Sequence, residues 1–174
     1  MLKRTLLAAA VIAAAACSPP AQRETTEAPQ APPQELMCNA VMPDLAKQVS
    51  VVDALVTVAG AELRGGRIAP GMYDLANAQR IAGATGWQGT RAIALEVTED
   101  LQTGVVTLNW AGTTPTNVLD RWTATLAETP AGRLSYSCGR IGDVDASYAA
   151  SESTLELRLA DGANGALQLT FERR

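Results

Sequence analysis

From residue 38 to the end of the chain, apolar and polar side chains alternate with a period of two. Leu155, Leu157 and Leu159 oppose Thr154, Glu156 and Arg158, and Leu167, Leu169 and Phe171 oppose Gln168, Thr170 and Glu172. One face of each run is apolar and the other polar, which is the pattern of a strand buried on one side. The intervening Asp161-Gly162-Ala163-Asn164-Gly165 carries the glycine and asparagine that tolerate positive φ in a hairpin loop. Upstream, Ile93, Leu95 and Val97 point inward with Ala94 and Glu96 outward, and Val106, Leu108 and Trp110 point inward with Thr107 and Asn109 outward. Trp122, Ala124 and Leu126 follow, Thr129-Pro130-Ala131-Gly132 turns the chain, and Leu134, Tyr136 and Cys138 return as an inward set. With a strand from Met72 to Ile81 and a weaker one from Ser147 to Ser151, the pattern predicts about eight strands in meander order. Leu45 to Ala59 reads two ways. Leu45, Val49, Val52, Val56 and Ala59 share a helical face behind Asp44 as N-cap, while the density of valines suits a strand. A short N-terminal helix followed by a strand is the expectation there.

A meander with one apolar face hides it by closing into a small antiparallel barrel or by folding into a two-sheet β-sandwich, so the fold class is all-β. Closure also removes exposed edge strands. The opening Gly71-Met72-Tyr73, followed by a run of hairpins, resembles the Gly-x-Trp start of lipocalin and calycin barrels, with tyrosine in the tryptophan position. That resemblance implies a calycin-like barrel in which Arg173 or Arg174 packs on the aromatic. Small lysozyme-inhibitor lipoproteins also combine an anchor, a barrel and one disulfide. Their tyrosine-cysteine element opens the domain, whereas Tyr136-Ser137-Cys138 stands near the end here.

The N-terminus has a different grammar. Met1-Leu2-Lys3-Arg4 is a short positive segment, and an apolar run then extends to Ala16 before Cys17. The run is shorter than the roughly 20 residues needed to span a bilayer, and it has the layout of an export signal over residues 1–16. Ala14-Ala15-Ala16-Cys17 resembles the lipobox of bacterial lipoproteins, which implies a lipid (palmitate-bearing) anchor on Cys17. Ser18, rather than aspartate, after that cysteine implies sorting to the outer membrane, facing the periplasm. The alternative is an ordinary signal-peptidase cut that releases a periplasmic protein. Residues 17–37 hold five of the nine prolines with little that could form a core, so they are expected to be the anchor and a disordered tether to a domain at 38–174. Lipidation of Cys17 would leave Cys38 and Cys138 as one pair in an oxidising compartment, and a disulfide between them is expected.

Composition narrows the chemistry. The chain has no histidine, which removes Ser-His-Asp and Cys-His nucleophilic sites and HExxH-type zinc sites. With Lys3 and Arg4 gone, 12 basic residues face 18 acidic ones, a net charge of −6 that disfavours a nucleic-acid partner and electrostatic attachment to an anionic leaflet. No phosphate-binding loop, dinucleotide fingerprint or nucleophile elbow occurs, so no cofactor, metal or enzymatic activity is expected. Asp143-Val144-Asp145-Ala146-Ser147 begins like a calcium loop but has Tyr148 where glycine and Thr154 where glutamate belong, which makes it a solvated turn. Arg64-Gly65-Gly66-Arg67 is expected to be a hairpin turn rather than an anion nest. Trp110 and Trp122 fall on inward faces and belong to the core. Trp87, among the glycines of residues 83–89, is reached by no apolar period and is the candidate contact residue for a ligand or partner. The expectation for function is a cell-envelope lipoprotein acting as a non-enzymatic binding module for an apolar ligand or an envelope partner. The alternative is a structural or accessory lipoprotein that contacts protein or peptidoglycan without a ligand pocket.

Overall fold

In a computed structural model, the residues described are 37–54, 63–127, 132–163 and 165–174. They form ten strands: β1 (Val49–Asp53), β2 (Gly71–Ile81), β3 (Thr90–Arg91), β4 (Ile93–Glu99), β5 (Val106–Thr113), β6 (Leu119–Ala127), β7 (Arg133–Cys138), β8 (Asp143–Ala150), β9 (Thr154–Asp161) and β10 (Gly165–Arg173). Consecutive hairpins pair β4 through β10, and β10 pairs in turn with β2, whose other edge meets β4. Eight antiparallel strands therefore close a ring, which settles the choice between barrel and sandwich in favour of the barrel.

The inward faces are those that the alternation marks. Leu95, Leu108, Leu134, Leu155, Leu157, Leu169 and Phe171 are buried with Tyr73, whose hydroxyl donates to the Ala69 carbonyl at 2.6 Å. The hairpins 100–105 and 151–153 lie with the start of β2 at one end, called here the base. The connections 82–92, 114–118, 139–142 and 162–163 lie at the other, called here the mouth.

Two strands stand outside the eight-membered ring. β2 pairs with β4 only from Gly71 to Asp74; beyond that, β1 lies parallel to β2 at Ala78–Arg80 and antiparallel to β3. The wall near the mouth thus gains a ninth strand in the seam between β2 and β4. Near the base, Gly65 forms a parallel bridge with Ala149 of β8, so the two glycines expected to form a hairpin turn instead line a barrel edge. Gly66 has φ of +113° and an added Cβ would lie 2.9 Å from the Ala150 carbonyl oxygen, which leaves room for glycine alone.

Residues 37–48 cross the outside of the wall as a strap. Asn39 donates to the carbonyls of Trp110 and Trp122 at 3.1 and 3.0 Å, Arg121 donates to the Val41 carbonyl, and Val41 packs on Ala94 and Ala111. The small outward side chains of Ala94 and Ala111 are fully buried because the strap covers them. No helix occurs among the described residues of the strap and β1. Asp44 closes a single turn, accepting from the Ala46 amide at 3.0 Å, and β1 begins at Val49; residues 55–59 of the expected helix or strand lie outside the described residues. The Cys38–Cys138 disulfide closes across a Cα–Cα distance of 5.5 Å and a sequence separation of 100. Cys138 was expected to point inward. A bulge at Ser137 shifts the register so that Tyr136 opposes Ala124 but Cys138 opposes Thr123, which turns the sulfur outward to the strap.

Two further expectations change. Asp143 and Asp145 begin β8 rather than forming a turn, and lie 3.5 and 3.9 Å from Arg133. Arg173 covers Gly71, where an added Cβ would sit 3.0 Å from its Nε, and donates to the Pro70 carbonyl at 2.8 Å. Arg174 turns to Asp74. The expected arginine lid therefore closes over the glycine of Gly71-Met72-Tyr73. The signal segment, Cys17 and the tether up to residue 36 lie outside the described residues.

Candidate functional site

The mouth gathers the aromatic residues that the inward faces of β5, β6 and β7 present at one level. Trp110 and Trp122 are directly opposed in register and stack at 4.9 Å between ring centroids, Tyr136 meets Trp122 edge-on at 5.3 Å, and Phe171 meets Trp110 edge-on at 5.8 Å. Gly112 makes room for this: an added Cβ would stand 2.9 Å from the Trp110 indole nitrogen and 3.1 Å from Ile93. These rings form a floor, and Trp110 and Trp122 are core residues as the alternation predicts.

Trp87 reaches that floor from the loop. It is half-buried rather than exposed, with its ring 5.6 Å from Trp110. Its φ is +53°, a left-handed conformation that a bulky side chain adopts at a cost and that glycine adopts freely. Gly83, Gly86 and Gly89 lie close by in sequence, yet tryptophan occupies the strained position. A side chain held at such cost is one whose ring matters.

Charged groups rim the aromatic floor. Arg91 faces inward, two residues before Ile93, and its guanidinium lies over the Trp87 ring at 4.7 Å from the centroid. Arg140 lies over Tyr136 at 5.9 Å and pairs with Asp120 at 2.7 Å. Asp120 opposes Gly112 and shares the inward face of Trp122. Arg80 opposes Leu167 on the inner face and pairs with Asp53 at 2.8 Å, and Asp161 accepts from the Gly86 amide at 2.6 Å. Each of these carboxylates has a partner. Arg91 forms no ion pair among the described residues: its Nη1 donates to the Thr113 carbonyl at 3.0 Å, and its buried Nε has no acceptor. Burial pushes the guanidinium down from its ordinary value, an effect that nearby Asp120 partly opposes. Burial pushes the Tyr136 phenol up, and Arg140 works against that.

The sequence marked Trp87 but missed Arg91, Arg80, Asp120 and Arg140. The only available signal was parity: Arg91 continues the inward series of Ile93, Leu95 and Val97 by one step, and Asp120 that of Trp122, Ala124 and Leu126. Among the described residues no group of three cysteine or acidic side chains could hold a metal ion.

The strand pairing defines the class of the protein as a closed, eight-stranded up-and-down β-barrel with two accessory strands. No family model matches the chain, and no curated protein matches it. Among solved structures, a de novo designed fluorescence-activating β-barrel is similar at 14% identity and a TM-score of 0.42, over 60% of this chain and 93% of that one.

Proposed function

We propose that the protein is a non-enzymatic binding module of the bacterial cell envelope, lipid-anchored at Cys17 to the outer membrane and facing the periplasm, which takes an apolar small molecule at its barrel mouth. The observation that carries this reading is Trp87, half-buried at positive φ above Trp110, at the end of the barrel where Arg91 and Arg140 lie over aromatic rings. Apolar ligands enter barrels at a mouth, where aromatic rings supply contact area at little cost in side-chain entropy. The lipobox and the tether-like composition of residues 17–37 support the anchor. The alternative, an accessory lipoprotein acting through protein or peptidoglycan contacts, would use the loop tips and leave the ring cluster unused.

Titration of the full-length, unacylated chain with the neutral fluorophore N-phenyl-1-naphthylamine tests the binding half. Saturable enhancement that Trp87→Ala removes is the expected result. No enhancement, or enhancement indifferent to Trp87, would overturn it. For the anchor, Cys17→Ser should abolish lipid labelling and leave unprocessed precursor, and normal processing would point to ordinary signal-peptidase cleavage.

A further inference from the structure

An arginine whose guanidinium is largely removed from water normally has its donors placed on acceptors, since an unmade hydrogen bond from a buried donor is costly. Arg91 departs from this at its Nε, as Arg80 and Arg158 do at theirs, but unlike them it has no side-chain acceptor for its other donors. Nη1 is engaged by the Thr113 carbonyl and the flat face by the Trp87 ring. Nε and Nη2, the edge that grips a carboxylate or phosphate with two parallel bonds, have no acceptor among the described residues, and the Nε is buried. The neighbouring acids do not supply one: Asp120 is paired with Arg140, and Asp161 holds the Gly86 amide. The surroundings place a cation with one unengaged donor, Nη2, beside an indole face and near the floor of stacked rings.

We infer that the mouth is selective for an anionic amphiphile, with the Arg91 guanidinium taking the oxyanion head through its unengaged Nη2 and Trp87 covering the adjoining apolar body. This rests on the binding-module reading and adds the charge of the ligand to it. A chain with 18 acidic residues repels anions at large, so selectivity for an anion would have to come from a local site of this kind. The head group could be a carboxylate or a phosphate ester, since the same guanidinium N–H donates to either.

Two probes with one aromatic body isolate the charge: 1-anilinonaphthalene-8-sulfonate carries a sulfonate, and N-phenyl-1-naphthylamine is neutral. On the full-length, unacylated chain the sulfonate should bind about tenfold more tightly or better, the scale of one charge-assisted hydrogen bond. Arg91→Met should bring the two affinities within about threefold, while Arg91→Lys, which keeps the charge but not the planar fork, should retain part of the difference. Near-ultraviolet circular dichroism from the Trp110–Trp122 stack reports whether each variant keeps the native mouth, and if Arg91→Met loses it, Arg91→Lys alone decides. Equal affinities in the native chain, or a preference unchanged in the variants, would overturn the inference while leaving apolar binding intact. Failure of both probes would overturn both. Dodecanoate and dodecyl phosphate, used below their micellar range, then compete with the sulfonate. Displacement by one assigns that head group, displacement by both assigns the shared oxyanion chemistry, and displacement by neither counts against the site.

Discussion

Asp74 on the outer wall is a buried charge and Arg91 at the mouth a half-buried one, and they differ in how completely they are answered. Asp74 is 6% exposed and receives Lys47 at 2.7 Å and Arg174 at 2.6 and 3.0 Å, so that both carboxylate oxygens are engaged. The Arg174 guanidinium beside it, aided by Lys47, holds the carboxyl below its ordinary range, against the opposing effect of burial. This is a latch: it fastens the end of the strap and the end of β10 to β2. Arg91 has no carboxylate of its own and a buried donor without an acceptor. Satisfied charge holds elements together, and unsatisfied charge at a mouth leaves valence for something else.

The largest effect expected on stability comes from the floor beneath the mouth. Trp122→Ala removes a fully buried ring that stacks on Trp110 and meets Tyr136, and should destabilise the barrel by about 3 to 5 kcal/mol in urea unfolding. A loss under 1 kcal/mol would mean that the floor is loosely packed and that the mouth lacks the rigid base the contrast assumes.

Asp74→Asn comes next, at about 1.5 to 3 kcal/mol, the range for hydrogen bonds to charged groups. The partners Lys47 and Arg174 are themselves well exposed, which keeps the figure below that of a fully buried pair. The pH dependence has a fixed sign. Because the folded carboxyl is depressed below 3.8, its contribution is complete above that value and is lost as pH falls through the lower folded value. Urea midpoints of the native chain and Asp74→Asn should therefore differ most near neutral pH and converge on acidification toward about pH 2. A constant gap would show that the asparagine disturbs packing rather than charge.

The contrast also explains what could be read along the chain. Strand alternation specified the inner faces because period two is a local property, and the eight-membered ring followed from the need to hide them. What it could not specify were interactions between segments far apart in sequence. Ala94 reads as an outward residue and is buried, because the strap that covers it lies some fifty residues earlier. Cys138 reads as inward and faces out, because one extra residue at Ser137 changes the parity without changing the hydrophobic pattern. Arg91 follows the inward parity of β4 but looks like a strand-end solvent residue until β1 and the Trp87 loop close around it. At the latch, the sequence offered the terminal arginines but not their partner: nothing local distinguishes Asp74 from any outward acid on a strand.

Arg91→Met should cost little, within about 1 kcal/mol of the native chain. Replacing a half-buried charge that has no ion-pair partner by an apolar side chain of similar length removes a desolvation cost along with one hydrogen bond. A loss as large as that of Asp74→Asn would make Arg91 a second latch and remove the difference between the two regions.

The smallest effect should come from Trp87→Gly. The substitution removes the ring's contact with Trp110 and the cation–π contact with Arg91, which destabilises. It also places glycine at φ of +53°, releasing backbone strain of about 1 kcal/mol. Glycine's greater freedom in the unfolded chain offsets part of that relief. These contributions oppose one another, so the net change should stay within about 0.5 kcal/mol, whereas Trp87→Ala, which loses the contacts and keeps the strained φ, should be the less stable of the two. Urea unfolding of both variants gives the order. If glycine proves clearly worse than alanine, the left-handed conformation carries no strain, and tryptophan is not held there at a cost for the sake of its ring.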